Sequence, residues 1–268
     1  MVTEIVLGIG VGIVLGLTGS GGVLAVPALM LGLGFSLQAA APVALIAVGL
    51  SSLIGTIHGL RMGIVRYRAA AIMALAGIAC SPLGIYLSHR LPTEVLTLLF
   101  SVLLLFIAVR MARQAWQKNS EGLGDELTPN CLVRADTGRF QLSKKCVATF
   151  ISIGGLSGLS SGLLGVGGGF LIVPGVRQFS NLKMHSIVAT SLAVITLIST
   201  GTVINALLAG ARLSGQAWWF IGSTVIGLLI GRAVAPLLSG RVLQLGFSVM
   251  ATITALMLIN KYLLPMLF

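Results

Sequence analysis

The feature that most constrains this chain is a glycine run inside a long apolar segment. Gly19-Ser20-Gly21-Gly22 interrupts the segment Val2 to Gly34, and Pro27 follows shortly after it. As one helix the segment would be about 50 Å long, too long for a single crossing of a hydrocarbon layer of roughly 30 Å. Irregular backbone at membrane depth is tolerated only where protein buries it or where it lines a wet cavity. The run is therefore either a packing kink or a binding site.

The same run returns in the second half of the chain. Gly167-Gly168-Gly169 and Pro174 lie 147 residues after Ser20-Gly21-Gly22 and Pro27. Carried forward without a gap, this offset pairs identical residues further along each copy: Leu45 with Leu192, Ser52 with Ser199, Gly63 with Gly210, and Gly84 with Gly231. Because glycines, prolines and helix starts keep one spacing, we predict two copies of one unit, each opening with a glycine-broken helix.

Composition places the chain in a membrane. Of its 268 residues, 56% are hydrophobic and 9% are charged, whereas a soluble domain carries about 25% charged residues. We therefore predict an all-α polytopic membrane protein in contact with lipid. The net charge of +11 comes from bases scattered at the ends of apolar runs, a pattern that reports topology and not nucleic-acid binding.

The predicted organisation is a first membrane repeat at 1–116, a linker at 117–144 and a second membrane repeat at 145–268. Each repeat has four to five transmembrane segments. The linker holds four of the six acids and no helical period, which is typical of a solvated connection. The broken segments are 2–34 and 145–179, and the other helices are predicted at about 38–60, 68–88, 94–116, 185–209, 215–237 and 242–266.

Lysines and arginines predict that the linker is cytoplasmic, in a protein of the plasma membrane. If each broken segment crosses once, the chain has eight spans and parallel copies. If each crosses and returns, it has ten segments and inverted copies, and 14 of the 17 bases then share the side of the linker. The segment lengths and the charge ratio favour the inverted arrangement.

Cysteines and acids exclude several classes of site. Cys80 is expected to be a packing residue, and Cys131 and Cys146 indicate neither a zinc site nor a disulfide framework. No acid falls inside a predicted membrane helix, which argues against a cation carrier and an aspartyl protease. Ser20 is replaced by Gly167 in the second copy, so it is not expected to be a nucleophile. We predict no metal, no cofactor and no enzymatic activity.

The glycine runs can bind an anion through the backbone. A half-helix that starts at such a run directs unpaired N–H groups and a positive dipole end into the cavity. Two such starts would face each other near the midplane. The alternative is that the runs only permit tight helix crossings. That packing role is expected for the regularly spaced glycines of the first helix in each copy, which are Gly8, Gly12, Gly16, Gly154, Gly158 and Gly162.

Polar residues on the following helix of each copy complete the predicted site. Ser51, Gly55 and His58 share one face, and Ser191, Thr202 and Asn205 share one face of the counterpart helix. His58 is the best-placed titratable side chain and could couple anion movement to a proton near Gly21 and Gly22; alternatively, it is a helix-end residue in lipid or water. The predicted substrate-binding residues are Gly19, Ser20, Gly21, Gly22, Ser51, Ser52, His58, Gly167, Gly168, Gly169, Thr190, Ser191, Ser199, Thr202 and Asn205.

The second run, Gly165-Val166-Gly167-Gly168-Gly169 through Pro174, fits the pattern GxGGGxxxxP. Repeated in two halves of a short polytopic chain, this pattern resembles the TauE/SafE family of sulfite and organosulfonate exporters. The helix start at Ala189-Thr190-Ser191-Leu192 also resembles that family. The first copy departs from the pattern, with Thr18-Gly19-Ser20-Gly21-Gly22 and Ala41-Pro42-Val43-Ala44.

The resemblance covers the whole chain except the linker, and it implies a plasma-membrane permease for a small sulfur-containing or organic anion. We therefore predict a secondary transporter for a sulfur oxyanion or an organosulfonate, with one repeat rocking against the other. A channel-like anion pore is the main alternative, and an intramembrane enzyme is a weaker one.

Overall fold

The computed structural model describes residues 2–18, 21–116, 131, 143–180, 182, 184–208, 215–234 and 240–267. This part of the chain forms ten α-helices and one 3-10 turn at Gly21–Leu24, without a strand. The helices are α1 Val2–Thr18, α2 Ala25–Gly32, α3 Leu37–Arg61, α4 Tyr67–Arg90, α5 Thr93–Trp116, α6 Lys144–Leu164, α7 Gly169–Phe179, α8 Met184–Leu208, α9 Gly215–Val234 and α10 Gly240–Leu267. Six helices are long and apolar enough to span a membrane. The all-α polytopic class is confirmed.

Local sequence signals set several helix ends. The hydroxyl of Ser36 accepts a hydrogen bond from the Ala39 amide at the start of α3, and Ser143 caps the Cys146 amide of α6 in the same way. The end of α6 is Gly165, which adopts the left-handed conformation with φ of 70°. The helices carry few polar residues, so neighbouring helices decide which faces are buried.

Both broken helices turn back. A methyl group added at Gly32, the last residue of α2, would lie 3.4 Å from Cγ of Leu7 near the start of α1. The carbonyl of Phe179, the last residue of α7, accepts a hydrogen bond of 3.1 Å from the Cys131 amide, and Cys131 is bonded to Cys146 in the first turn of α6. Each broken segment therefore returns to the side from which it started, which gives the same sidedness as the ten-segment arrangement.

The side on which α5 ends and α6 begins is called the linker side, and the side of the connection between α4 and α5 is called the turn side. Helices α3, α4 and α5 alternate in direction and α5 ends on the linker side, so α3 starts on the turn side. Because α2 returns to the side from which α1 entered, α1 also starts on the turn side. Along α6, Gly154 meets Met73 and Gly162 meets Ser81 of α4, so α6 runs parallel to α4 and starts on the linker side. The two broken segments thus enter from opposite sides.

The spaced glycines pack helix against helix, as predicted. Methyl groups at Gly8 and Gly16 of α1 would lie 2.8 Å from the Phe220 carbonyl oxygen and 2.6 Å from that of Leu228, on α9. The glycines of α6 pack in the same way on α4, where Gly154 meets the carbonyl of Met73 and Gly162 meets that of Ser81. Met73 and Ser81 precede Phe220 and Leu228 by 147 residues. The two-repeat division and the linker at 117–144 stay predictions, since most of the linker lies outside the described residues.

One expectation about the cysteines is wrong. The structure joins Cys131 and Cys146 in a disulfide, with their Cα atoms 4.9 Å apart. The return of α7 brings residue 131 to the first turn of α6, a fold-level proximity that sequence spacing does not reveal. Cys80 is free and half-buried, and a methyl group at Gly155 would lie 3.3 Å from its sulfur, which agrees with a packing role.

Candidate functional site

The two glycine breaks meet in the middle of the bundle. A methyl group added at Gly22 would lie 3.3 Å from the carbonyl oxygen of Val166 in the other break. The same group would lie 3.0 Å from both methyls of Val48, near the middle of α3, and a methyl at Gly167 would lie 3.3 Å from Val48 Cγ1. Val48 therefore contacts both breaks, and a side chain at Gly22 would have to displace it.

The second break requires glycine for its backbone as well. Gly165, Gly167 and Gly168 all have φ near 70°, a conformation that L-residues with a Cβ rarely adopt. α7 starts directly afterwards, and no side chain caps its first turn. The N–H groups and the positive dipole end of this half-helix therefore begin where the breaks meet.

Four serine hydroxyls of α3 and α8 are buried without a hydrogen-bond partner among the described residues. Three of them lie within one helical turn of the contacts between Val48 and the breaks, whereas Ser191 lies about 12 Å from Ser199 along α8, next to the Leu192 that packs on Gly55. All four side chains are 0% exposed. The position of Ser199 is fixed most directly, since a methyl group at Gly167 would lie 3.4 Å from its Oγ. An unsatisfied buried hydroxyl costs about 1–3 kcal/mol, and such groups are rare in folded proteins. The four are Ser51, Ser52, Ser191 and Ser199, and the sequence predicted every one as a site residue.

Neighbouring hydroxyls show that these serines are exceptional. Thr56 donates to the carbonyl of Ser52 on its own helix and lies 3.3 Å from the Thr196 hydroxyl. Ser81 donates to the hydroxyl of Thr202 at 2.9 Å, and Ser161 lies 3.4 Å from it. Thr202 was predicted in the site, but it belongs to this satisfied network of α4, α6 and α8.

Other predicted residues have local roles in a turn or at a helix start. The hydroxyl of Thr190 accepts a hydrogen bond of 3.0 Å from the Arg66 amide, so it holds the connection between α3 and α4. Gly21 starts the 3-10 turn and Gly169 starts α7. Gly19 and Ser20 lie outside the described residues.

The structure does not bring His58 to the breaks. Its side chain is exposed in the last turn of α3. Gly22 packs against Val48 of the same helix. His58 follows Val48 by ten residues, so it lies about 15 Å farther along the helix axis. Asn205, which the 147-residue offset pairs with His58, is half-buried and lines a cavity of about 300 Å³ beside Tyr86 and His89. The proton coupling near Gly21 and Gly22 therefore lacks the geometry it needs.

A second cavity, of about 360 Å³, opens between the start of α3 and the ends of α4 and α8. Gln38, Ser88 and His89 line it near the turn side, while Leu163 and Thr202 line it next to the second break. The amide of Gln38 donates to the Ser88 carbonyl at 3.4 Å. The cavity is a passage from the turn side toward the breaks.

Sequence reasoning missed residues of this passage because they carry weak local signals. Gln38 and His89 stand near helix ends, where polar residues are common and need no function. Val48 has no polar group, and only its place one turn before Ser51 and Ser52 connects it to the site. The glycines and serines were found because the 147-residue offset repeats them or their neighbours.

Comparison with known proteins agrees with these features. A family model described as "Sulfite exporter TauE/SafE" matches residues 5–258. A "Probable membrane transporter protein" of Xylella fastidiosa (strain Temecula1 / ATCC 700964) is 29% identical over 86% of this chain and 82% of its own length. One of Bacillus subtilis (strain 168) is 26% identical over 96% of this chain and 99% of its own. One of Sinorhizobium fredii (strain NBRC 101917 / NGR234) is 30% identical over 91% of each.

No solved structure matches this chain significantly. The family match covers nearly all of the chain, including both glycine breaks and the helices that carry the four serines. The chain therefore belongs to the TauE/SafE sulfite exporter family and is a multi-pass membrane transporter.

Proposed function

We propose that this transporter carries a small oxyanion of sulfur or an organosulfonate, bound where the two glycine breaks meet. The observation that carries this proposal is the set of buried serine hydroxyls without hydrogen-bond partners among the described residues, of which those of Ser51, Ser52 and Ser199 lie within one helical turn of the breaks. A sulfonate or sulfite group has three oxygens that accept hydrogen bonds. Hydroxyls from α3 and α8 can donate to them from two directions.

The electrostatics of the site favour an anion. The carboxylates on the described helices are Glu4 and Glu94, in the first turns of α1 and α5, which are both on the turn side. Cation carriers place carboxylates at the midplane, and none of the described residues supplies one there. The start of α7 adds its positive dipole end, so the backbone itself favours an anion at the site.

The mechanism that fits this geometry is alternating access. α3 and α8 cross at the middle of the bundle and carry the serines, and the broken helices α1 and α6 pack on α9 and α4 respectively. Movement of one packed pair against the other would expose the serines first to one side and then to the other. We place the protein in the plasma membrane with its linker side in the cytoplasm, since that side carries 14 of the 17 bases.

The test is binding of sulfite, thiosulfate, taurine, methanesulfonate and acetate to purified protein, measured by calorimetry, followed by flux in proteoliposomes. We expect saturable binding and flux of at least one sulfur anion and weaker binding of acetate. Flux that rises linearly with concentration and without saturation would support the channel-like pore instead. Binding of none of the sulfur anions would contradict the proposed substrate class.

A further inference from the structure

The passage from the turn side has a repeat-related counterpart on the linker side. Leu45 of α3, Ile85 of α4, and Thr202 and Ala206 of α8 line the open cavity of about 360 Å³. The 147-residue offset pairs these four with Leu192, Arg232, Gly55 and Gly59, in that order. The counterpart residues therefore mark the place where a second passage would open if the halves exchanged conformations.

That second place is closed in this structure. A methyl group added at Gly55 would lie 2.8 Å from Nη2 of Arg232 and 2.8 Å from Cδ1 of Leu192. One turn later, a methyl at Gly59 would lie 3.0 Å from a Val65 methyl and 3.1 Å from Cβ of Ala189. Side chains thus fill on the linker side the space that is open on the turn side.

The closing side chain carries a charge. Arg232 is half-buried at the end of α9, where an arginine normally extends to the lipid headgroups. Its guanidinium is instead turned inward onto the bare backbone of Gly55. Gly55 follows Ser51 and Ser52 by one helical turn, so the guanidinium lies close to the serine cluster.

No carboxylate of the described residues explains this position. Glu4 and Glu94 are at the opposite, turn side of the bundle. A guanidinium packed on a bare helix backbone, without an acidic partner on the described helices around it, indicates a site that an anion visits. Its planar fork matches two oxygens of an oxyanion at once.

We propose that Arg232 closes the linker-side passage against Gly55 and binds the oxyanion when that passage opens. The inference rests on the proposed function, and it adds a second anion position one helical turn beyond Ser51 and Ser52. The structure is then the state open to the turn side. In the opposite state Arg232 leaves Gly55, the passage around Leu192 opens, and the cavity around Leu45 closes.

The closure of the linker-side passage by Arg232, called the gate below, is tested without any anion. Cysteine is introduced at Ala206, which is half-buried and lines the open cavity, or at Leu192, which is buried against Gly55. The detergent-purified chain is treated with N-ethylmaleimide, and peptide mass spectrometry follows each position. We expect Ala206→Cys to react at least tenfold faster than Leu192→Cys. Adding Arg232→Ala should raise the rate at position 192 at least fivefold. Equal rates at the two positions, or no rise with Arg232→Ala, would overturn the gate.

The anion position is tested with methanesulfonate. We expect Arg232→Gln to lower the rate of methanesulfonate uptake by proteoliposomes at least tenfold, while equilibrium binding changes less than threefold because the serines remain. Arg232→Lys should recover part of the rate, since it keeps the charge but loses the fork. Arg113→Gln, an exposed arginine on α5, is the matched control and should transport normally.

The labelling and uptake experiments distinguish a failure of this inference from a failure of the proposed function. Uptake by Arg232→Gln within twofold of the unmodified protein would overturn the role of Arg232 in binding. If the unmodified protein binds no sulfur anion at all, the proposed function fails, whereas the labelling rates still decide whether Arg232 closes the passage.

Discussion

Ser52 on α3 and Ser199 on α8 stand 147 residues apart, the offset between the two predicted repeats, and each buries a hydroxyl that has no hydrogen-bond partner among the described residues. The helices carrying them are in direct contact, because a methyl group added at Gly49 would lie 3.1 Å from Cβ of Ser199. Thr56 shows that a hydroxyl on α3 can bond back to its own helix. The two serines do not, which leaves both hydroxyls available to a ligand.

The glycine stripe of α1 gives a matched pair of substitutions. A methyl group at Gly12 would lie 2.8 Å from the Leu228 amide nitrogen, whereas nothing lies within 4 Å of one at Gly10. We expect Gly12→Ala to destabilise the protein by about 1–3 kcal/mol through overpacking against α9. Gly10→Ala should be neutral or stabilising by up to about 1 kcal/mol, through helix propensity. Thermal unfolding of both variants in detergent checks this, and equal melting temperatures would contradict the packing.

The second glycine break gives another matched pair of substitutions, at Gly168 and at Gly222. Gly168 has φ of 69°, and a methyl group there would lie 2.7 Å from Cβ of Ser157. We expect Gly168→Ala to lose about 1–3 kcal/mol from backbone strain alone, together with transport. Gly222→Ala, on α9 with open space around it, is the control and should keep both. A Gly168→Ala protein with normal stability and normal flux would show that the left-handed turn is dispensable.

The sequence predicted most of this architecture because the signals are local or repeated. Helix lengths follow from uninterrupted apolar runs, the breaks from glycine runs, and the two serines from the shared offset. The disulfide and the passage could not be found, since Cys131 and Cys146, like Gln38 and His89, meet only after the chain turns back. Arg232 resembles an ordinary helix-end base until the fold places it on Gly55.

His58 gives a prediction about pH. The side chain of His58 is exposed at the end of α3, away from the breaks. We therefore expect His58→Asn to leave the pH dependence of transport around neutrality unchanged. Uptake of the transported anion into proteoliposomes, measured across that range for both proteins, checks it. Loss of the pH dependence in His58→Asn would restore the proton-coupling hypothesis.

The orientation can be tested on the two ends of α5. Glu94 and Arg113 are exposed in its first and last turns, on the turn side and the linker side. With the native cysteines replaced, an impermeant maleimide applied to intact cells should label Glu94→Cys. It should label Arg113→Cys only after permeabilisation. The opposite pattern would place the linker outside the cell.

The redox state of the Cys131–Cys146 disulfide also tests the membrane orientation. Thiols on the cytoplasmic side are kept reduced, so we expect Cys131 and Cys146 to be free in cells and bonded in protein isolated in air. Alkylation before lysis, followed by peptide mass spectrometry, distinguishes the two forms. A bond already present in intact cells would argue that the linker side faces an oxidising compartment.

The most direct measurement is the anion affinity and the stability of Ser52→Ala/Ser199→Ala beside those of the unmodified protein. A hydrogen bond to a charged ligand is worth about 1.5–3 kcal/mol, so calorimetry with the preferred sulfur anion should show at least a tenfold loss of affinity. The melting temperature without anion should stay the same or rise, because two unsatisfied buried hydroxyls are removed. Ser152→Ala, an exposed serine on α6, should change neither quantity. Unchanged affinity together with a lowered melting temperature would show that the hydroxyls stabilise the fold and do not bind the anion.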